Sequence, residues 1–136
     1  MKKLILIISL LLIALPVQAR QLSDVKFEFA NENNIEQLCR MDWKPIGCFD
    51  APNRIVIRID DYIPISIIIQ SLWHELGHYF LQDLTEKDYQ AEFGSQYSFL
   101  YLREMAADEF AAMITDKDYI KKMPAERIKF FAGVIK

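Results

Sequence analysis

A chain of 136 residues, 52% of them hydrophobic, has material for one folded domain and too little for two. Its formal charge of −3 becomes −5 when the two lysines of the N-terminal segment, Lys2 and Lys3, are removed with it, which argues against nucleic acid or an anionic membrane surface as the partner. There is no repeat, low-complexity tract or linker.

The first nineteen residues read as a secretory signal and not as part of the fold. Met1-Lys2-Lys3 is a basic start, Leu4 to Leu15 is an apolar run, Pro16 breaks it, and Val17-Gln18-Ala19 is a small-x-small cleavage signal. Cleavage after Ala19 leaves a single domain over residues 20–136, exported to a periplasm or to the medium. The apolar run is shorter than the ~20 residues a membrane span needs, so no stable anchor is expected after cleavage. Cys39 and Cys48 are the only cysteines, and an even pair in an exported chain reads as a disulfide. A zinc site on them would need two more Cys or His nearby, and there are none.

In chain order, Val25 to Phe29 alternates polar and apolar and predicts a strand, and Asn33 or Asn34 can cap a short helix through Ile35, Leu38 and Cys39. A strand over Trp43 to Phe49 and a turn over Asp50-Ala51-Pro52-Asn53 follow. Arg54 to Asp60 is the strongest strand signal. Ile55, Ile57 and Ile59 share one face, while Arg54, Val56, Arg58 and Asp60 on the other predict solvent or an edge position. An exposed edge there could pair with an extended peptide.

Asp60-Asp61 and Pro64 lead into a helix over Ile65 to Leu81, with Ile65, Ile68, Ile69, Leu72, Leu76 and Tyr79/Phe80 as its apolar stripe. His74-Glu75-Leu76-Gly77-His78 is an H-E-x-x-H sequence that holds the only two histidines of the chain, and His74 and His78 fall off that stripe, on a face with Gln70, Ser71 and Gly77. Residues four apart stand one above the other on a helix, so two imidazoles at that spacing reach one metal ion without bending the backbone. Zinc suits them best, with three protein ligands and a water, and Glu75 is placed to act as general base on that water. A core histidine is the ordinary explanation of one His, but a poor one for a sole pair at ligand spacing.

The third ligand is expected further on. Thr85 to Gln90 is polar and Gly94-Ser95 marks a loop, so this stretch reads as a connection. A second helix runs from about Tyr97 to Thr115, with Phe99, Leu102, Ala106, Phe110 and Met113 on its apolar face. Glu104 and Asp108, four apart, project from another common face. Glu104 can complete the zinc set, and Asp108 can accept the outer N–H of a zinc-bound histidine. Glu92 and Glu109 are weaker third ligands, Glu109 because it sits about 140° around the helix from Glu104. One more helix, Tyr119 to Lys136, has Pro124 near its start and carries lysines and an arginine that read as a solvated face.

His74-Glu75-x-Gly77-His78 followed by Glu104-x-x-Ala107-Asp108-x-Phe110-Ala111 resembles the gluzincin metallopeptidases, and within them the small ImmA/IrrE-type minimal zincins with their E-x-x-A-x-x-F-A signature. The Glu104-x-x-x-Asp108 spacing is also similar to thermolysin-like enzymes. The resemblance covers roughly residues 63–113. It implies His74, His78 and Glu104 as ligands of one Zn²⁺, Glu75 as general base and Asp108 behind a ligand. The family members are usually cytoplasmic and often carry a regulatory or DNA-binding domain, for which this chain leaves no room. Its export signal and cysteine pair also depart from them, so their regulatory roles do not carry over.

Together these readings predict an α+β, minimal zincin-like domain: a short antiparallel sheet packed on the H-E-x-x-H helix, with the Glu104 helix beside it. Its expected activity is zinc-dependent hydrolysis of a peptide or protein substrate. Zincins usually add a side-chain donor to the oxyanion, and with no third histidine the candidates are Tyr97, Tyr101 and Arg103. The alternative is a binding protein that is stabilised by zinc and catalyses nothing.

Overall fold

A computed structural model describes residues 22–135; the signal segment and its cleavage point lie outside them. After a 3₁₀ turn at Leu22–Asp24 come β1 (Lys26–Ala30), α1 (Ile35–Cys39), β2 (Gly47–Asp50) and β3 (Arg54–Arg58). Then follow α2 (Ile65–Leu81), α3 (Glu86–Phe93), α4 (Phe99–Thr115), α5 (Lys117–Lys122) and α6 (Ala125–Val134). The class is α+β, as expected.

The sheet differs from expectation in two ways. Its order is β1-β3-β2, with β1 parallel to β3 and β2 antiparallel to it, so it is mixed and β3 is central. The charged residues of β3 do not mark an edge, because its second face is also covered. Ile55 and Ile57 face α2 in the main core, while Val56 packs with Ala30, Ile35 and Cys48 under α1. Arg54 is taken up by Glu28 (2.7 Å), and it donates to the Leu38 carbonyl at 3.0 Å. Arg58 is only 8% exposed, with its Nε 3.3 Å from Asp60. Charge on a strand thus marks ion pairing here and not solvent.

Cys39 at the end of α1 is bonded to Cys48 in β2, which clamps the helix to the sheet face it covers. The disulfide fits an oxidising compartment. Among the described residues, no helix is long and apolar enough to cross a membrane.

The helices hold further corrections. Residues 86–93, read as part of a connection, form α3. Thr85 accepts from the Asp88 N–H at 3.3 Å while Asp88 accepts from the Thr85 N–H at 2.8 Å, a reciprocal cap on the first turn. α3 is needed for packing: its Tyr89 and Phe93 enter the core, and the Tyr89 hydroxyl donates to the Leu81 carbonyl at the end of α2. The C-terminal segment is two helices, α5 and α6, broken at Met123-Pro124, where Pro124 removes a backbone donor and starts a new helix. α6 closes the core by setting Phe131 against Phe110 of α4, with ring centroids 5.8 Å apart. Arg127 is no part of a solvated face. Its Nε meets Glu92 at 2.7 Å, its Nη1 meets Glu109, and its guanidinium lies 3.8 Å from the Phe93 ring centroid. Glu92 and Glu109 are thereby occupied in tying α3, α4 and α6 together.

Closing a short loop, the Cys39–Cys48 bridge contributes about 2–3 kcal/mol by restricting the unfolded chain. Replacing both cysteines by serine is expected to lower the unfolding free energy by about that amount in urea titrations. An unchanged midpoint would show that the clamp adds nothing to stability.

Candidate metal centre

The contact between α2 and α4 is the most extensive between any two elements, and glycine allows it. A Cβ at Gly77 would lie 3.0 Å from the Ala107 Cα and 3.3 Å from the Ala107 carbonyl oxygen, which are backbone atoms that cannot swing aside. With both Gly77 and Ala107 small, the helix axes come close enough for short side chains to meet. The C-terminal part of the α2 face that its periodicity marks as polar is therefore buried, while Gln70 at its start stays exposed. Glu75 is 6% exposed and His78 is 8% exposed.

Across this contact His74, His78 and Glu104 converge. The two Nε2 atoms are 3.1 Å apart, and Glu104 oxygens lie 3.4 Å from His74 Nε2 and 3.3 Å from His78 Nε2. Ligands on a tetrahedral zinc with bonds of 2.0–2.1 Å stand about 3.3–3.4 Å from one another, and each histidine nitrogen lies near that distance from its own oxygen of the Glu104 carboxylate. The donor set of two nitrogens and one carboxylate also suits zinc better than Ca²⁺ or Mg²⁺, which favour oxygen ligands. These are the three residues that the sequence singled out, and together they can hold a metal ion.

Asp108 stands one turn beyond Glu104 on α4, with Oδ1 2.7 Å from His74 Nδ1. That bond leaves Nε2 to face the other two ligand atoms and fixes the ring's orientation. The sequence suggested this role without saying which histidine would take it; the structure assigns His74. His78 is held differently, by the Phe49 ring stacked over it at 6.5 Å.

Glu75 sits between α2 and β2. Burial pushes its carboxyl above the usual carboxylate range, against the pull of His74, His78 and an N–H donated by the Phe49 backbone. Phe49 is a site residue that sequence reading missed, and no periodicity would have revealed it. Gly47 is a second. A Cβ there would meet Ser71 Oγ at 2.9 Å and Glu75 Cγ at 3.1 Å, so its small size lets β2 lie against the Glu75 side chain. The Arg58 N–H donates to the Ile46 carbonyl, so by antiparallel alternation Gly47 and Phe49 turn their peptide groups away from β3. The open edge beside the site is thus β2, and not the Arg54 to Asp60 strand.

Of the suggested oxyanion donors, Tyr101 lines a cavity together with Glu104 and Asp108. Tyr97 precedes α4 and packs on the Tyr101 ring at 5.1 Å, while Arg103 lies over Phe99 at 5.8 Å. Of the three, Tyr101 is the one that shares this cavity wall with a candidate ligand, Glu104.

Without metal, the ligands hold one another by charge. Burial opposes a proton on His74, but hydrogen bonding to Glu104 and the charges of Glu75 and Asp108 outweigh it and raise His74 to about 9. Hydrogen bonds from His74 and His78 hold the Glu104 carboxyl far below its usual range. Because the His74 value is raised, its proton stabilises the metal-free fold fully below the unfolded value near 6.5, and this stabilisation is lost as pH climbs through about 9. A metal ion held through His74 would have to displace that proton. Its affinity is expected to rise about tenfold per pH unit from neutrality up to about 9, with proton release visible as buffer-dependent binding heats. A pH-independent affinity over that range would contradict this. Asp108→Ala is expected to weaken zinc binding about 10–100-fold in competition with a chromophoric chelator. No family model, curated protein or solved structure matches the chain, so the chemistry of this centre rests on its own residues.

Proposed function

We propose that the protein is an exported, zinc-dependent peptidase of the gluzincin type, with His74, His78 and Glu104 as the zinc ligands and Glu75 as general base. One observation carries this reading. Two imidazole nitrogens 3.1 Å apart, each 3.3–3.4 Å from one oxygen of the Glu104 carboxylate, stand beside a buried carboxylate that is no part of their triangle. A structural zinc site closes with protein ligands, whereas three ligands and an adjacent base leave a position for water and substrate.

A zinc ion held by His74, His78 and Glu104 would lower the pKa of a bound water and polarise a carbonyl oxygen. The rest falls to the chain. Glu75, its proton affinity raised by burial, takes a proton from the attacking water and delivers it to the amine nitrogen as the peptide C–N bond breaks. The Phe49 N–H and the close approach of Gly47 hold that carboxylate from the β2 side. With the Phe49 amide spent on Glu75, the outward peptide groups of Gly47 are those an extended substrate can pair with. Asp108 keeps the His74 ring turned. Tyr101 is the residue we assign to the developing oxyanion. The signal-like residues 1–19 and the disulfide support export.

The mature chain from Arg20 is expected to bind one zinc and to cleave members of a mixed peptide library, with activity lost to a chelator. Glu75→Gln is expected to keep the zinc and lose turnover by about 10²–10⁴-fold. Cleavage by that variant at the wild-type rate would overturn the role of Glu75. Zinc binding without cleavage in the wild type would favour the zinc-stabilised binding protein instead.

A further inference from the structure

Beside the metal centre, between α2, α4 and α5, lies a cavity of about 550 Å³, within the range of ligand pockets. Gln70 of α2, Tyr101, Glu104, Asp108 and Glu109 of α4, and Tyr119 of α5 are in its wall, and no lysine, arginine or histidine is. Its carboxylates are not equivalent. Glu104 is turned to the two histidines. Glu109 shares Arg127 with Glu92, so that group of three keeps a net negative charge. Asp108 spends one oxygen on His74, and its side chain is 75% exposed. Tyr101 and Tyr119 are 53% and 37% exposed, which leaves aromatic surface open to a ligand.

We propose that this cavity is the side-chain subsite of the hydrolase and selects a lysine or arginine of the peptide substrate. The subsite rests on the peptidase reading, because Glu104 belongs both to its wall and to the ligand triangle. A cationic head there meets the carboxylate of Asp108 and the residual charge around Glu109, while its aliphatic stem lies along the tyrosine rings. An acidic side chain would meet like charge. An apolar one would strip water from Asp108 and Gln70 and return no hydrogen bond.

The test uses the zinc-loaded mature protein with ¹³C-labelled tyrosine, titrated with N-acetylarginine amide and with its uncharged counterpart N-acetylnorleucine amide. The arginine probe is expected to shift the Tyr101 and Tyr119 ring signals, and the norleucine probe to leave them in place. Gln70→Lys, at an exposed position, is expected to weaken the arginine probe at least about tenfold with zinc content unchanged. Equal binding of both probes, unmoved tyrosine signals, or an unaltered affinity in Gln70→Lys would each overturn the subsite. Peptide cleavage separates the two readings. Hydrolysis without preference for a basic residue would remove the subsite and leave the peptidase. Binding of the arginine probe without any hydrolysis would remove the peptidase and leave a cation-binding cavity.

Discussion

The close contact of Gly77 with Ala107 is the constraint on which the rest depends. A glutamate side chain is short, and Glu104 reaches both imidazoles only because α2 and α4 approach backbone to backbone at this point. One turn further, the same approach brings Asp108 to the outer nitrogen of His74. Register matters as much as distance. A slip of one residue along α4 would turn Glu104 by about 100° and take it off the triangle. The aromatic cluster around Phe110, with Trp73, Phe80 and Phe131 against it, is what holds the register. The core thus does more than stabilise: it sets the spacing of the ligand atoms.

The sheet supports the other half of the centre. β2 lies against α2 through Gly47 and Phe49, and these two residues shape the surroundings of Glu75 and His78. The disulfide attaches Cys48, the residue between them, to α1. A strand at the edge of a small sheet has hydrogen bonds to one neighbour only, and this covalent clamp compensates on the far face. The demands of the candidate centre and of the fold therefore meet in three consecutive residues, Gly47 to Phe49, with the histidines on the helix side and Glu75 held from the strand side.

What could be read from the sequence follows from the range of the interactions. The ligand residues were legible because helical spacing is local: His74 with His78, and Glu104 with Asp108, are each four apart. The pairing of the two helices needed only the reasoning that two histidines lack a third ligand. Phe49 and Gly47 were not legible, because their roles come from a contact with α2 about 25 residues away in the chain, which no local pattern encodes. The central place of β3 was hidden for a related reason. Arg54 and Arg58 look like solvent-facing residues until Glu28 and Asp60 are brought to them. The α3 helix was legible in principle, since Thr85-Glu86-Lys87-Asp88 is a capping pattern ahead of Tyr89 and Phe93. Its polar composition outweighed that signal. Arg127 was the opposite case: an arginine on an amphipathic helix whose partners, Glu92 and Glu109, had a ligand role as their nearest competing explanation.

The distribution of buried charge gives the centre its meaning. Among the described residues, only Arg58, Glu75 and His78 are buried polar or charged groups. Burying such a group costs several kcal/mol unless partners offset it. Arg58 has a structural offset in Asp60 and the Lys44 carbonyl. Glu75 and His78 each meet a partner on another element, the Phe49 N–H of β2 and the Glu104 carboxylate of α4, and both contacts lie at the candidate metal centre. Their desolvation is repaid in part by one another's neighbours, His74 and Glu104, which is an arrangement of ligands and not of struts. A fold that confines buried charge to one structural pair and one cluster of groups able to hold a metal ion marks that cluster as its candidate functional site.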